Sequence, residues 1–218
     1  MTVFSIFDTD AVLRLNSASK ASHKRKVNKM AESLTDSPSE LPKIVKVYRK
    51  RYEKMATADY WKGLFQFSKE IMHDSIEGLN WKQLLDWEHR HLKYTKSRLP
   101  KQRAEMPIDI ILQAKGRCGE FALLYNGLLL ANDYQTRLIV DCSILRDKSK
   151  KVAGDHVWVE ILIDGKWIHV DPTEGRIDQP MMYALDWKKD VNMVFALIGN
   201  GVIDVTKTYR PRDQNANR

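Results

Sequence analysis

A cysteine between two glycines is the residue of this 218-residue chain best suited to chemistry. In the stretch GRCGEF at 116–121, Cys118 stands just before an apolar run whose spacing predicts a partly buried helix. A cysteine in a first helical turn lies among unpaired N–H groups at the positive end of the helix dipole, and both favour the thiolate. Those N–H groups can also bind a tetrahedral oxyanion. Cys118 is therefore a candidate nucleophile; the alternative is a small buried side chain, which is common for free cysteine.

A predicted β-hairpin downstream supplies a base and a carboxylate. Asp164-Gly165 separates two alternating segments, 156–163 and 166–173, and this pair is typical of a two-residue type I′ turn. The turn sets the register, so that Glu160 pairs with His169. Because side chains alternate along a strand, one face carries the polar set His156, Trp158, Glu160, Trp167, His169 and Asp171.

On that face, His156 and Asp171 are diagonal neighbours with Cβ atoms about 7 Å apart. A carboxylate that holds one imidazole nitrogen leaves the other to take a proton from a thiol. We therefore predict a triad of Cys118, His156 and Asp171. His169, opposite Glu160, is interpreted as a structurally bonded residue. The other face is wholly apolar and is predicted to be buried: Val157, Val159, Ile161, Ile163, Ile168 and Val170.

Helical spacing dominates the first half of the chain. We predict one helix from about Pro42, one from Asp59 to near Gly78, and one opened by a capping box of Asn80 and Gln83. Their apolar faces are assigned to the core rather than to a cofactor. For the first helix that face is Ile44, Val47, Tyr48 and Tyr52.

Strands dominate the second half. Residues 136–144 read as a strand with Cys142 on its buried side, and 194–198 and 202–209 read as two strands around Asn200-Gly201. Together with the hairpin they predict an antiparallel sheet. The fold class is therefore α+β, with the nucleophile at a helix N-terminus.

Composition excludes several classes of protein. Two cysteines cannot build a disulfide framework or a four-cysteine zinc site, and no run of 18 apolar residues is present to span a membrane. The first 15 residues lack the pattern of a signal peptide, since Asp8 and Asp10 interrupt them. We therefore expect a cytoplasmic protein that needs no cofactor or metal.

The net charge of +8 is concentrated in the first half of the chain. Residues 1–107 hold 21 Lys and Arg against 13 Asp and Glu, whereas residues 108–218 hold 15 of each. Solvated helix faces are the preferred explanation. A nucleic acid or an acidic partner on this basic half is the alternative, although no aromatic and basic residues interleave there as in nucleic-acid modules.

Four stretches resemble the transglutaminase-like superfamily of papain-type thiol enzymes, and most of all its peptide:N-glycanase family. They are GRCGEF at 116–121, DHVWVE at 155–160, WIHVDPTEGRIDQPMMYALDW at 167–187 and DVTKTY at 204–209. The resemblance implies a transglutaminase-like catalytic core at 105–210. A basic, mainly helical extension at 1–104 would precede it, and a short tail at 211–218 would follow.

The resemblance also implies roles for residues. Cys118 would be the nucleophile, His156 the base and Asp171 the orienting carboxylate. Residues expected to contact substrate are Arg117, Glu120, Asp155, Trp158 and Glu174. The implied reaction is hydrolysis, through a thioester, of the amide bond that joins asparagine to an N-linked glycan on a protein or glycopeptide.

Three departures separate this chain from the glycanases. It lacks their paired Cys-x-x-Cys zinc ligands, and Asp171-Pro172-Thr173 is closer to the general transglutaminase-like pattern. None of Trp61, Trp81 and Trp87 aligns with the tryptophan that serves the oxyanion hole of some relatives. A protease, an amidase or an amine transferase with the same triad remains an alternative, as does a binding module without turnover.

Overall fold

A computed structural model of the protein describes residues 41–55, 58–96, 106–145, 152–178, 190–199 and 201–209. Within these ranges the helices are α1 (Lys43–Lys54), α2 (Ala58–Glu70), α3 (Trp81–His91), α4 (Pro107–Gln113), α5 (Cys118–Ala131) and α6 (Thr206–Tyr209). The strands are β1 (Lys93–Tyr94), β2 (Lys115–Gly116), β3 (Thr136–Leu145), β4 (Val152–Ile163), β5 (Lys166–Asp171), β6 (Arg176–Ile177), β7 (Asp190–Ile198) and β8 (Gly201–Asp204).

Helix α5 is the centre of the structure. It begins at Cys118, as predicted, and its sequence is apolar on nearly every side. Such a helix must be covered all round. It packs on β3 and β4 on one side and on α2, α3 and α4 on the others. Cys118 is therefore held at the N-terminus of a buried helix.

The sheet has six strands in the order β6-β5-β4-β3-β7-β8, and each neighbouring pair is antiparallel. The β4–β5 hairpin has the predicted register, with Glu160 opposite His169. Asp164 and Gly165 have φ values of 48° and 77°, as a type I′ turn requires. The fold is therefore the predicted combination of helices and an antiparallel sheet.

The two faces of the hairpin have different surroundings. The apolar face lies in the main core, where Val157, Val159, Ile161 and Val170 are fully buried. The polar face is also partly covered, because Trp158 joins a small second cluster with Ile139, Val194, Ala196 and Val205. The alternating sequence pattern predicted that the apolar face is buried, but it did not predict the second cluster around Trp158.

Two helices differ from expectation. In α1, Val45 is buried in place of Val47, which is 40% exposed, because the buried stripe runs through positions 45, 48 and 52. Helix α2 ends at Glu70 rather than near Gly78, and the chain turns at His73, whose φ is 53°. That left-handed residue is incompatible with a continuing helix.

The start of α3 agrees with the predicted capping box. Asn80 Oδ1 accepts hydrogen bonds from the backbone N–H groups of Lys82 at 3.0 Å and Gln83 at 3.1 Å. Gln83 Oε1 in turn accepts one from Asn80 N at 2.9 Å. These reciprocal bonds fix the direction in which α3 enters the core.

The final hairpin differs from the prediction in the position of its turn and in the length of its second strand. Gly201 already pairs with Ile198, so the turn is centred one residue earlier than Asn200-Gly201, and Gly199 has a φ of 53°. The second strand ends at Asp204, whose Oδ1 accepts a hydrogen bond from Thr206 N at 2.9 Å. This cap starts α6, so residues 206–209 are helical rather than extended.

One core spans both halves of the described structure, since buried residues of α1 and α3 lie in the same cluster as those of β3 and β4. The proposed boundary between residues 104 and 105 lies outside the described residues, as do segments 1–38 and 211–218, so this division stays a prediction. Among the described helices, none has both the length and the apolar character that a membrane span requires. The cytoplasmic assignment likewise stays a prediction.

Candidate active site

Cys118 opens α5 from an extended residue, Arg117, whose φ is −107° and ψ is −175°. Glu120, three positions into the turn, reaches back so that its Oε2 accepts a hydrogen bond from Arg117 N at 3.0 Å. This is the reciprocal half of a capping box and tightens the first turn. Cys118 is only partly buried, whereas Cys142 is fully buried in β3 as predicted.

An ion pair from a distant part of the chain holds the same turn. Arg51 Nη2 of α1 lies 3.4 Å from Glu120 Oε1, and the two side chains are only 8% and 2% exposed. The Arg51 guanidinium also lies 5.8 Å from the centroid of the Tyr48 ring. Glu120 was predicted to contact substrate, but its two oxygens are engaged in joining α1 to the start of α5.

The hairpin brings His156 and Asp171 together. His156 Nε2 lies 3.0 Å from Asp171 Oδ2, and the carboxylate is fully buried. The other carboxylate oxygen, Oδ1, accepts a hydrogen bond from Thr173 N at 2.9 Å, which fixes its orientation. A further hydrogen bond joins the His156 ring to Cys118. Because Nε2 faces Asp171, Nδ1 is the nitrogen left for the thiol.

Opposing effects act on the charge of His156. Burial lowers the pKa of the imidazole, but the hydrogen bond and charge of Asp171, together with those of Cys118, outweigh it and raise the pKa to about 9. Near neutral pH the ring is therefore protonated. The arrangement is a cationic imidazole between a carboxylate and the sulfur of Cys118.

The base of the site is backed by aromatic packing. Trp158 lies behind His156, with ring centroids 5.9 Å apart, and Tyr209 of α6 meets Trp158 edge to face at 5.5 Å. Trp158 is 1% exposed, so this predicted substrate contact lies beneath the site rather than on its wall. Glu160 accepts hydrogen bonds from Arg137 and Tyr209 and lies 3.2 Å from His169 Nδ1.

Helix α3 supports the Asp171 side of the site. His89 Nε2 donates to the carbonyl of Pro172 at 2.5 Å, which holds the chain directly after the carboxylate. Glu88, on the same helix, is fully buried. Burial raises its pKa well above the ordinary value, and the charge of Asp171 raises it further. The protonated form of Glu88 is therefore favoured beside a second buried carboxylate.

A cleft of about 590 Å³ opens over the cysteine. Its wall holds the predicted residues Arg117, Glu120 and Glu174, and Glu174 Oε2 is paired with Arg176 Nη2 at 2.6 Å. Asp155 pairs with Cys142 through the strand backbone, but its side chain lies outside what the structure describes. The full lining is Tyr48, Tyr94, Lys96, Arg117, Cys118, Gly119, Glu120, His156, Thr173 and Glu174.

Sequence reasoning assigned no role to three residues of this wall, Tyr94, Lys96 and Thr173. Tyr48 is buried in the core, as predicted, and also lines the cleft. The signal for Thr173 was present, since a backbone N–H two residues after an aspartate often bonds its carboxylate.

Within the described ranges, no group of three or more His, Cys, Asp or Glu side chains is placed to hold a metal ion.

Known proteins match about half of this chain. Residues 66–172 match the family model described as the transglutaminase-like superfamily. The peptide-N(4)-(N-acetyl-beta-glucosaminyl)asparagine amidase of Arabidopsis thaliana is 38% identical over 117 residues, which are 53% of this chain and 14% of the relative. The protein of the same name from Saccharomyces cerevisiae is 33% identical over 115 residues, or 50% and 29%.

A third relative of that name, from Oryza sativa subsp. japonica, is 36% identical over 115 residues, which are 52% of this chain and 23% of the relative. The chain thus spans less than a third of the length of each of these three relatives.

Proposed function

This chain carries a transglutaminase-like domain similar to that of the peptide:N-glycanases, and from that premise we propose that it is a thiol amidase that removes N-linked glycans from asparagine. The observation that carries the proposal is the hydrogen-bonded series of Cys118, His156 and Asp171 beneath an open cleft. The names of the relatives supply the substrate, an asparagine amide that bears a sugar.

Attack on the amide begins with the Cys118 thiolate, which the imidazolium of His156 stabilises. A carbon–sulfur bond forms and the carbonyl π electrons move to oxygen, giving a tetrahedral oxyanion near the start of α5. As the oxyanion collapses, the carbon–nitrogen bond breaks and the leaving glycosylamine takes a proton from His156. The product on the enzyme is a thioester.

Water then completes the cycle. Neutral His156 accepts a proton from water, the resulting hydroxide adds to the thioester, and collapse of the second tetrahedral oxyanion releases Cys118 as a thiolate. The asparagine side chain leaves as aspartate. Asp171 stabilises the imidazolium and fixes the ring throughout, without itself taking the proton.

Product analysis tests this assignment against other uses of the same triad. With a denatured glycopeptide as substrate, mass spectrometry should show an intact peptide in which the glycosylated asparagine has become aspartate. Chain cleavage would indicate a protease, and cross-linking of glutamine to an amine would indicate a transferase. Absence of all three with wild-type protein would favour a binding module. Cys118→Ser is the inactive control, and Cys142→Ser should retain the activity of the wild type.

A further inference from the structure

The hydroxyl of Tyr48 lies against the first turn of α5, next to the candidate nucleophile. A Cβ atom placed on Gly119 would lie 2.0 Å from Tyr48 Oη and 2.9 Å from Cζ. The phenol therefore fills the space that any other side chain at position 119 would need. Tyr48 is 2% exposed and shares the wall of the cleft with Cys118 and His156.

This position is held firmly. Arg51 lies one turn after Tyr48 on α1, and its guanidinium is 5.8 Å from the centroid of the Tyr48 ring. The same guanidinium pairs with Glu120 in the first turn of α5. Burial of both partners limits the motion of α1 relative to the N-terminus of α5. The hydroxyl is thus fixed relative to the backbone N–H groups that surround Cys118, as preorganised catalysis requires.

The tryptophans of the first half lie elsewhere. Trp61 Nε1 donates to the carbonyl of Met55 at 2.7 Å, and Trp87 is fully buried against the ring of His91. Among the described residues that line the cleft, none is a tryptophan. The hydroxyl of Tyr48, in contrast, lies directly on the turn that begins at Cys118.

We propose that Tyr48 is a catalytic residue that donates a hydrogen bond to the tetrahedral oxyanion formed when Cys118 attacks a carbonyl. The proposal rests on the proposed function for its reaction class, acyl transfer to a thiol. Tyr48 keeps its proton, because it stabilises charge and does not transfer it. Helix α1 lies before residues 66–172, which match the family model, so a helix outside that match would complete the site.

The test uses Tyr48→Phe, which removes the hydroxyl and keeps the ring. The matched control is Tyr52→Phe, one turn further along α1; Tyr52 is also buried, at 5% exposed, but lies outside the described lining of the cleft. Acylation of Cys118 by p-nitrophenyl acetate passes through an oxyanion, whereas alkylation by iodoacetamide does not. We expect Tyr48→Phe to slow acylation roughly 100-fold, the size of effect seen for one oxyanion donor, and to leave the alkylation rate unchanged. Tyr52→Phe should change neither rate.

Two results would overturn the proposal. One is an acylation rate in Tyr48→Phe equal to that of the wild type. The other is an equal fall in acylation and alkylation, which would mean that the hydroxyl only supports the structure around Cys118. Because the ester carries no glycan, a selective loss of acylation supports the role of Tyr48 even where a glycopeptide is not hydrolysed.

Discussion

At the scale of single residues, His156 shows how the site balances solvation against charge. Burial alone would favour the neutral ring, yet Asp171 and Cys118 raise its pKa and hold it as a cation to about pH 9. A fixed imidazolium stabilises the thiolate and has a proton ready for the leaving amine. In the proposed mechanism, the buried carboxylate of Asp171 therefore affects the charge of the Cys118 sulfur as well as the orientation of the ring.

The raised pKa of His156 predicts a pH-dependent contribution to stability. The folded protein holds this proton more tightly than the unfolded chain, whose histidine pKa is about 6.5. Stabilisation is therefore fully present below pH 6.5 and is lost as the pH rises through about 9. The stability difference between wild type and His156→Gln, measured by urea unfolding, should be largest at low pH and shrink by pH 10. A difference that grows with pH would contradict this assignment.

A second pH-dependent contribution to stability is predicted for Glu88, to be measured in proteins that keep His156. Burial raises the pKa of this acid, so the folded protein takes up a proton that the unfolded chain releases above about pH 4.5. Wild type should therefore lose stability relative to Glu88→Gln as the pH rises above about 4.5. Thermal unfolding of both proteins across this range checks the sign. A constant difference would mean that Glu88 is ionised in the fold.

At the level of elements, contacts that a turn sets were predictable from the sequence, whereas side-chain contacts between distant helices were not. Asp164-Gly165 sets the hairpin register, and that register brings His156 to Asp171. The pairing of Arg51 with Glu120 joins residues 69 positions apart, and no periodicity reveals it. Trp158 was predicted to contact substrate, but it is buried beneath the site. The ring of Tyr209 packs against it, and Tyr209 belongs to α6, a segment that was predicted to be a strand.

The contact of Tyr48 in α1 with the first turn of α5 predicts opposite effects on stability for two glycine-to-alanine substitutions. Gly119→Ala should destabilise the protein by about 1–3 kcal/mol, because its new methyl group would collide with the buried Tyr48 ring. Gly63→Ala is the matched control, since Gly63 also lies in a helix but a Cβ added there would have no atom within 4 Å. That change should stabilise by about 0.5–1 kcal/mol. Equal effects in denaturant unfolding would contradict the packing of α1 on α5.

At the scale of the whole molecule, the helices of the first half are part of the structure that builds the site. Tyr48 and Arg51 come from α1, His89 comes from α3, and all three contact residues or backbone at the cleft or beside it. The basic surplus of residues 1–107 stays without an assigned partner. Binding to nucleic acid through phosphates would fall steeply as salt increases, which a titration would detect.

The fold is expected to be independent of metal. A single apolar core joins helices and sheet, and the two cysteines of the chain are too few for a four-cysteine zinc site. Treatment with EDTA should therefore leave the melting temperature unchanged, in contrast to proteins whose folding depends on a structural zinc. Stoichiometric zinc in the purified protein, with unfolding when it is removed, would contradict this prediction.

In the proposed reaction, Cys118 forms a thioester with the asparagine side chain of a glycopeptide as the glycosylamine leaves. Rapid acid quenching during turnover, followed by mass spectrometry of the digested enzyme, tests it most directly. We predict a peptide joined to Cys118 through that side chain with the sugar absent, and no adduct in Cys118→Ala. A deglycosylated product formed equally well by Cys118→Ala, or an adduct that still carries its glycan, would contradict the account.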